Sequence, residues 1–331
     1  MAWTVSWRVL INGRDLTSAW RPVLIDIEIE DRDGTSSDTC SLTIDDADGQ
    51  VRLPSKGDRL VVYLEGGKVF EGFIEQPQSS GSRSAGRVLK IRAKGFDSTG
   101  KVKEPQAFHL DDASLEAFLG RAAEHAGMTI AIDPDFAGIV RDYWSAEGES
   151  FLALGNRLAK KLGGTFKVRG DRAVLAKRGA EPVGAVAGVV GQNVISWDIT
   201  PRAPRRAFKS GSAKWFDRKS AQFVTETLAF GADGVEADNL ARDVMADADE
   251  AKEANDTHKR EGEREDGGGS VDLDLTVAAA AEALFTLSGA RPGVDGSYRI
   301  VSVRHKADRS GGSRTGLELK HPSEGAGKDA R

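Results

Sequence analysis

The sequence predicts a mainly β protein with an α/β insertion, in which the β part forms two tube-like antiparallel β-barrels. Three features of the 331 residues support this fold class. The first hundred residues alternate apolar and polar side chains with the period of two that is typical of strands. The pattern changes to a helical period near Asp111, and a later strand-rich region ends in a stretch that repeats the first.

Length and composition are those of a soluble globular chain of about two to three domains. Charged residues make up 29% of the sequence and hydrophobic residues 39%. The net charge of −5 argues against a general nucleic-acid binder, which needs a basic surface to displace counterions from phosphates. The first residues do not resemble a signal peptide, and no apolar run reaches the roughly 18 residues of a membrane span. We therefore expect a chain that is made in the cytoplasm and has no membrane span.

Residues 1–104 are predicted to form the first β-barrel domain. The stretch LIDIEIE alternates isoleucine with acidic residues, which indicates a half-exposed strand, and RLVVYLEGG is apolar on both faces before a glycine turn. The single cysteine, Cys40, alternates with Leu42 and Ile44 in DTCSLTI. We expect Cys40 to be a small core residue, because a lone cysteine cannot form an internal disulfide.

Residues 105–185 are predicted to form the inserted α/β domain. The apolar spacing of SLEAFLGRAAEHAGM predicts a helix with Asp112 as its N-cap and Gly127 as its stop. A second helix is predicted in ESFLALGNRLAKKLGG, with Ser150 as N-cap and Gly163 as stop. The following TFKVRGDRAVLAKRG is typical of a β-hairpin.

Residues 186–321 are predicted to form the second β-barrel domain. Within it, a long polar helix is expected at about 236–261, with Leu240 and Val244 in its thin apolar stripe. Residues 322–331 are expected to form a flexible tail.

The end of the sequence repeats a pattern from its first third. VFEGFIEQPQSSGSRSAGRVLKIRAKG and VDGSYRIVSVRHKADRSGGSRTGLELKH each run from an acid and a glycine through an aromatic strand and a Gly/Ser/Arg loop into an alternating strand. This repeat predicts a duplicated barrel whose strands 58–65, 69–76 and 87–94 correspond to 282–289, 294–303 and 314–321. The residues expected at equivalent barrel turns are Glu71, Gly72 and Phe73 in the first copy, and Asp295, Gly296 and Tyr298 in the second.

The sequence contains no recognisable catalytic, metal-binding or cofactor-binding motif, so we expect neither enzymatic activity nor a cofactor. Its five histidines are scattered and form no HExxH pair. DDADGQ at residues 45–50 resembles the start of a calcium loop, but the glutamate required at position twelve is absent. We expect an Asx-type turn there instead.

Two other functions have a small basis in the residues. Glu147 and Glu149 could form the carboxylate pair of a peptidoglycan hydrolase, although acidic residues just before a helix also stabilise its N-terminus. Arg202, Arg205 and Arg206 form the one basic cluster, which either faces an anionic polymer or is a solvated connector. Neither alternative accounts for the repeat.

The order of these patterns resembles the late control gene D family, the baseplate hub proteins of contractile phage tails, which are similar to the N-terminal part of VgrG-type spikes. The resemblance covers residues 5 to 321. GESFLALGNRLAKKLGG and GSYRIVSVRHK with the later TGLEL carry it most specifically. The sequence departs from the family pattern at Ala146 and Phe151, in the entry to the second helix, and in TVAAAAEALF, which lacks a glycine before its strand.

The resemblance implies two barrels per chain, a homotrimer, and a place in the virion tail baseplate. Three copies of a chain with two similar barrels would present six modules to a six-fold tail tube and three to a spike, which makes the protein a symmetry adaptor. The implied partners are further copies of the chain, the tail tube protein, the central spike protein, other baseplate proteins and the end of the tape measure protein.

Overall fold

The computed structural model describes residues 3–34, 37–83, 86–179, 184–202, 208–231, 235–265 and 267–329. The protein is mainly β, as predicted, with helices concentrated in an insertion and in one later segment. None of the helices in these residues is long and apolar enough to cross a membrane.

The first β region forms because apolar side chains alternate along its strands and all face one core. In β4 and β7, for example, Leu42 and Ile91 lie opposite each other and are both fully buried. The elements are β1 (Trp7–Ile11), β2 (Arg14–Asp15), α1 (Thr17–Trp20), β3 (Leu24–Arg32), β4 (Thr39–Asp45), β5 (Arg59–Leu64), β6 (Gly67–Ser82) and β7 (Gly86–Lys94).

The inserted region contains both predicted long helices. Ser150 caps the second one by accepting a hydrogen bond from the Ala153 amide, and Gly163 ends it in the left-handed conformation, as predicted. The predicted cap Asp112 is wrong: Asp112 lies in a strand, and Ser114 accepts the hydrogen bond from Ala117. The elements are β8 (Pro105–Ser114), α2 (Leu115–His125), β9 (Thr129–Ile132), α3 (Pro134–Ala137), β10 (Val140–Ser150), α4 (Phe151–Leu162), β11 (Gly164–Arg169) and β12 (Arg172–Lys177).

The last part of the chain holds a second β region that a small sheet and a helix interrupt. The elements are β13 (Ala185–Val189), β14 (Val194–Thr200), β15 (Ser210–Asp217), β16 (Gln222–Ala229), β17 (Asp238–Met245), α5 (Ala248–Arg264), β18 (Gly268–Asp274), β19 (Leu284–Ser288), β20 (Gly296–Asp308) and β21 (Gly312–Ser323).

The helix predicted at 236–261 is wrong over residues 236–247, nearly half of its length. Residues 238–245 form β17, which pairs in parallel with β15, and the helix starts only at Ala248 after the cap Asp247. Leu240 and Val244 are exposed on this strand instead of packing as a helical stripe. Strand pairing decides the outcome because local ion pairs stabilise a helix by only about 0.2–0.5 kcal/mol each.

The predicted flexible tail at 322–331 is also wrong in the part that is described. Pro322 and Ser323 complete β21, Ala326 is buried in the core of the second β region, and the Gly327 amide donates to the carbonyl of Gly293 at 2.8 Å. The chain is fixed there because an apolar side chain and backbone hydrogen bonds hold it.

The two β regions belong to one sheet. The strand order is β14-β18-β21-β20-β3-β4-β7-β6-β5-β1-β2, with β19 pairing both β20 and β13. The described strands leave this sheet open, so the two predicted barrels are not seen as closed sheets in the described part of the chain.

Three separate groups of buried side chains lie beneath these elements. The first core runs from Val5 to Ala93 and includes Ala307, and the second core runs from Val186 to Ala326. The third, in the insertion, runs from Phe96 to Leu175. Cys40 is buried in the first core, as expected, and burial raises the pKa of its thiol.

Candidate interaction surface

The two β regions share the same order of paired strands. The first is β3-β4-β7-β6-β5-β1, and the second is β14-β18-β21-β20-β19-β13. All neighbours in the first set are antiparallel, and the second differs only at its end, where β13 and β19 run parallel. Both sets also use a left-handed glycine at the same hairpin turn, Gly86 (φ +70°) and Gly312 (φ +83°). We call the two sets the first and second modules.

The predicted correspondence of turn residues is displaced. Ala93 and Leu319 are equivalent, because each follows the turn glycine of its module by seven residues. Ala93 pairs with Ile74 and Leu319 pairs with Ile300, so Ile74 and Ile300 are equivalent as well. Two residues earlier in each strand, Gly72 therefore corresponds to Tyr298. Phe73 therefore corresponds to Arg299 and not to Tyr298. A shift of one residue moves a side chain to the other face of a sheet, which explains why Phe73 is only half-buried while Tyr298 is fully buried.

The predicted turn residues mostly lie within strands. Glu71, Gly72 and Phe73 are inside β6, whose turn is formed earlier by Glu65 and Gly66. Glu71 accepts from Lys68 at 2.7 Å and pairs with Arg59, and these two bonds lower the pKa of its carboxyl.

In the second module, Asp295 does belong to a turn. Its carboxylate accepts from the Ala290 amide at 2.8 Å. Gly296 begins β20 (φ +146°), and the Tyr298 hydroxyl donates to the Val294 carbonyl at 2.6 Å. Burial, followed by the charge of Asp295, raises the pKa of Tyr298 to about 12.

The modules join where β20 pairs antiparallel with β3. Ile27 lies opposite Ala307 and Ile29 opposite His305, and all four side chains are buried. The imidazole of His305 lies 3.0 Å from the Thr315 hydroxyl, and burial lowers its pKa to about 4.

Charged pairs cover the outer face of this junction. Arg304 lies 3.2 Å from Glu28, and Arg32 donates to Glu318 at 2.6 Å. The junction therefore combines an apolar inner face with a charged outer one.

The strands equivalent to β20 and β3 in the other module each have an edge that no described strand pairs with. β6 corresponds to β20, but in the described part of the chain no strand pairs with the outer edge of Gln76–Gly81. β14 corresponds to β3 and, among the described strands, pairs only with β18 along Ser196–Thr200. These segments are named the β6 edge and the β14 edge.

The β14 edge also exposes an aromatic side chain on the core side of the sheet. Trp197 lies opposite the buried Val271, just as Ile27 lies opposite the buried Leu42. Ile27 is 0% exposed because β20 covers it, whereas Trp197 is 42% exposed. Neither edge was predicted from the sequence, since an unpaired edge depends on which strands meet and has no local pattern.

The residues considered for other functions have ordinary hydrogen-bond partners or are exposed, where the structure describes them. Arg157 donates to the carboxylate of Glu149 at 3.0 and 3.1 Å, while Glu147 accepts from the Ser145 hydroxyl at 3.2 Å. Arg202 is exposed, and Arg205 and Arg206 lie outside the described residues.

The predicted Asx-type turn at residues 45–50 is confirmed. The Asp45 carboxylate accepts from the Ala47 amide at 3.0 Å, and the Asp46 carboxylate accepts from the Val51 amide at 3.0 Å. Among the residues that the structure describes, no group of three or more His, Cys, Asp or Glu could hold a metal ion.

Ion pairs between distant parts of the sequence link the insertion to the rest of the protein. Glu250 on α5 accepts from Arg141 at 2.8 Å and pairs with Lys161. Lys167 pairs with Asp31 and, at 2.5 Å, with Asp38. These partners are between 89 and 136 residues apart in the sequence, which is why no local pattern predicted them.

Comparison with known proteins confirms the resemblance to baseplate hub proteins. The chain is 28% identical over 225 residues to a protein of Escherichia phage P2, and 24% identical over 221 residues to one of Escherichia phage 186, both named "Probable baseplate hub protein". Each match covers 65% of this chain but only 57% of the relative. No family model matches the sequence.

Solved structures with the same fold are phage tail proteins and a secretion-system component. A 43 kDa tail protein of prophage MuSo2 from Shewanella oneidensis superposes with a TM-score of 0.72 at 15% identity, over 95% of this chain and 97% of that one. A tail protein from Neisseria meningitidis MC58 gives 0.72 at 14% identity, over 96% of both chains. The E. coli c3393 protein, a component of the type VI secretion system, gives 0.59 at 12% identity, over 98% of this chain and 79% of that one.

By its fold, the chain resembles these phage tail proteins and this type VI secretion component. By its sequence, it is similar to two proteins named as baseplate hub proteins, and it spans a little over half of their length.

Proposed function

We propose that this protein is the structural hub of a contractile tail baseplate or a related injection machine, and that it acts as a homotrimer between a six-fold tail tube and a three-fold spike. The name of the sequence relatives and the shared fold of the tail proteins support the hub role. The trimer and the symmetry match rest on the internal duplication.

One observation carries the proposal: two modules with the same strand order lie side by side in one sheet within one chain. A three-fold axis acting on two similar modules produces six similar units spaced by about 60°. In this arrangement the predicted tube-like barrels would be completed by neighbouring copies, because the single-chain sheet is open.

The proposed hub keeps the division into residues 1–104, 105–185 and 186–321. The modules would form the ring, and the insertion and α5 would lie outside it, where the six-fold likeness is broken. We propose the tail tube protein, the central spike protein and other baseplate proteins as partners, with the end of the tape measure protein in the central channel. The location would be the virion tail baseplate, after synthesis in the host cytoplasm.

We propose a structural and not an enzymatic role. The relatives are named as hub proteins, Glu149 is paired with Arg157, and Glu147 accepts a hydrogen bond from Ser145. If Glu147→Gln with Glu149→Gln abolished a cell-wall lytic activity of the purified protein without unfolding it, the hydrolase alternative would replace this proposal.

The test of the hub is the assembled particle. A cryo-EM map should show three copies of the chain between tube and spike, with the two modules alternating around one ring. A monomer in the native particle, or modules stacked face to face, would contradict the proposal.

A further inference from the structure

The β20–β3 junction inside the chain provides a template for a contact between chains. Each module has one strand equivalent to β20 and one equivalent to β3, yet the described chain joins only one such pair. The β6 edge and the β14 edge are the two strands left without that partner. They lie in different modules, so one copy can offer its β6 edge to the β14 edge of the next.

We infer that the β14 edge of one copy pairs antiparallel with the β6 edge of a second copy, in the register that β3 and β20 use within the chain. This inference rests on the proposed trimer and names the contact that would hold it together. The template fixes the register through the equivalent residues of the two modules. Trp197 and Gly81 are equivalent to Ile27 and Ala307, so they would lie opposite each other. In the same way, Ile199 would lie opposite Ser79, as Ile29 lies opposite His305.

The sizes of the side chains fit this register. Within the chain, Ile27 packs beside the small Ala307. In the proposed contact a larger residue, Trp197, meets a smaller one, Gly81. The exposed indole would gain the cover that β20 gives to Ile27, and a glycine leaves room beside it.

Two prolines would end the new ladder. Asp31 lies opposite Val303 in the template, and the equivalent residues are Pro201 on the β14 edge and Pro77 on the β6 edge. Proline has no amide hydrogen to donate and is confined to strand edges and ends. The paired segment would therefore run from Trp197 to Thr200 against Gln78 to Gly81 and stop at the prolines.

Cysteine cross-linking tests the register directly. Cys40, the only cysteine, is buried in the first core, so new cysteines would react without competition. Thr200 and Gln78 are both exposed, and the template places them directly opposite each other, as Glu30 lies opposite Arg304. Directly opposite residues have Cα atoms about 4.5–5.5 Å apart, which a disulfide can span.

The expected result is that Thr200→Cys with Gln78→Cys gives covalently linked chains up to a trimer after mild oxidation. Each single variant should stay unlinked. Thr200→Cys with Ser80→Cys tests a register shifted by two residues, which keeps both cysteines on the same face of the sheet. This pair should cross-link at least tenfold more slowly than Thr200→Cys with Gln78→Cys. Equal or faster linkage of the slipped pair would overturn the register.

A substitution at the indole tests the same contact without new covalent bonds. Trp197→Arg should weaken self-association at least tenfold in sedimentation measurements, while Phe223→Arg, an exposed aromatic on another strand, should leave it unchanged. A protein that is trimeric by mass but shows no cross-link and no effect of Trp197→Arg would overturn the strand pairing and leave the trimer standing. A wild-type monomer under conditions of particle assembly would overturn both.

Discussion

Phe70 covers Gly72 on the inner face of β6: a Cβ on Gly72 would lie 2.7 Å from the Phe70 ring and 2.1 Å from the Lys94 carbonyl oxygen. In the second module, Gly296 stands at the position of Phe70 and Tyr298 at the position of Gly72. The aromatic residue and the glycine have exchanged places between the two copies. Each module thus fills the same part of its core with one ring, supplied from a different strand position.

Gly72→Ala should destabilise the first module by about 1–3 kcal/mol, the usual cost of forcing extra atoms into a packed site. The backbone oxygen of Lys94 cannot move aside as a flexible side chain could. Gly120→Ala is the matched control, since a Cβ there meets nothing within 4 Å. In α2 that change should be neutral or stabilising by up to about 1 kcal/mol. Urea unfolding of the two variants measures the difference, and equal stability would contradict the close approach of Phe70.

Phe70→Ala and Tyr298→Ala should each cost about 3–5 kcal/mol, because each removes a buried ring and leaves a cavity. The rings belong to separate cores, so the two losses should add to within about 0.5 kcal/mol in the double variant. Strong coupling in the unfolding free energies would indicate one shared core. Phe73→Ala is the control within β6, and its effect should be smaller because Phe73 is only half-buried.

Removing the charge of Glu250 should loosen the link between the insertion and α5. The side chains of Glu250 and Arg141 are 4% and 10% exposed, so Glu250→Gln removes the carboxylate nearest to a buried cation and leaves Arg141 only the longer pair with Glu253, at 3.3 Å. We expect a loss of about 1–3 kcal/mol in unfolding free energy, the usual cost of taking one partner from a buried polar group. Asp249→Asn, in an exposed pair with Lys252, should change stability by less than about 0.5 kcal/mol. Similar effects of both variants would contradict a structural role for the buried pair.

The stability of the β20–β3 junction should fall as the pH drops from 6.5 towards 4. Burial of His305 lowers its folded-state pKa to about 4 from the ordinary 6.5, so the unfolded chain takes up a proton first. The contribution of neutral, buried His305 to the free energy of unfolding is complete above pH 6.5. It is lost as the pH falls from 6.5 towards 4, by up to about 3 kcal/mol.

Denaturant unfolding at pH 7 and pH 5 measures the effect. His305→Gln should reduce the difference between the two pH values. His125→Gln, at the end of a helix, serves as the control. If His305→Gln left the pH dependence of stability unchanged, buried His305 would not be its cause.

The sequence by itself determined the features that depend on neighbouring residues. The alternation of Cys40, Leu42 and Ile44 placed a buried strand, and Ser150 and Gly163 set both ends of α4. These signals are reliable because a cap or an alternating face is formed within a few residues of the chain. The duplication was also visible, since the same alternation and glycine turn occur twice.

Only the tertiary structure decided which strands meet and in what register. Residues 238–245 carry a weak helical pattern, but pairing with β15 makes them a strand. The correspondence of Gly72 with Tyr298, and not of Phe73 with Tyr298, follows from hydrogen-bonded partners in β7 and β21 that lie some 20 residues away along the chain. The same holds for Trp197 and Gly81, because an unpaired strand edge arises from the order of the whole sheet and no short segment of sequence encodes it.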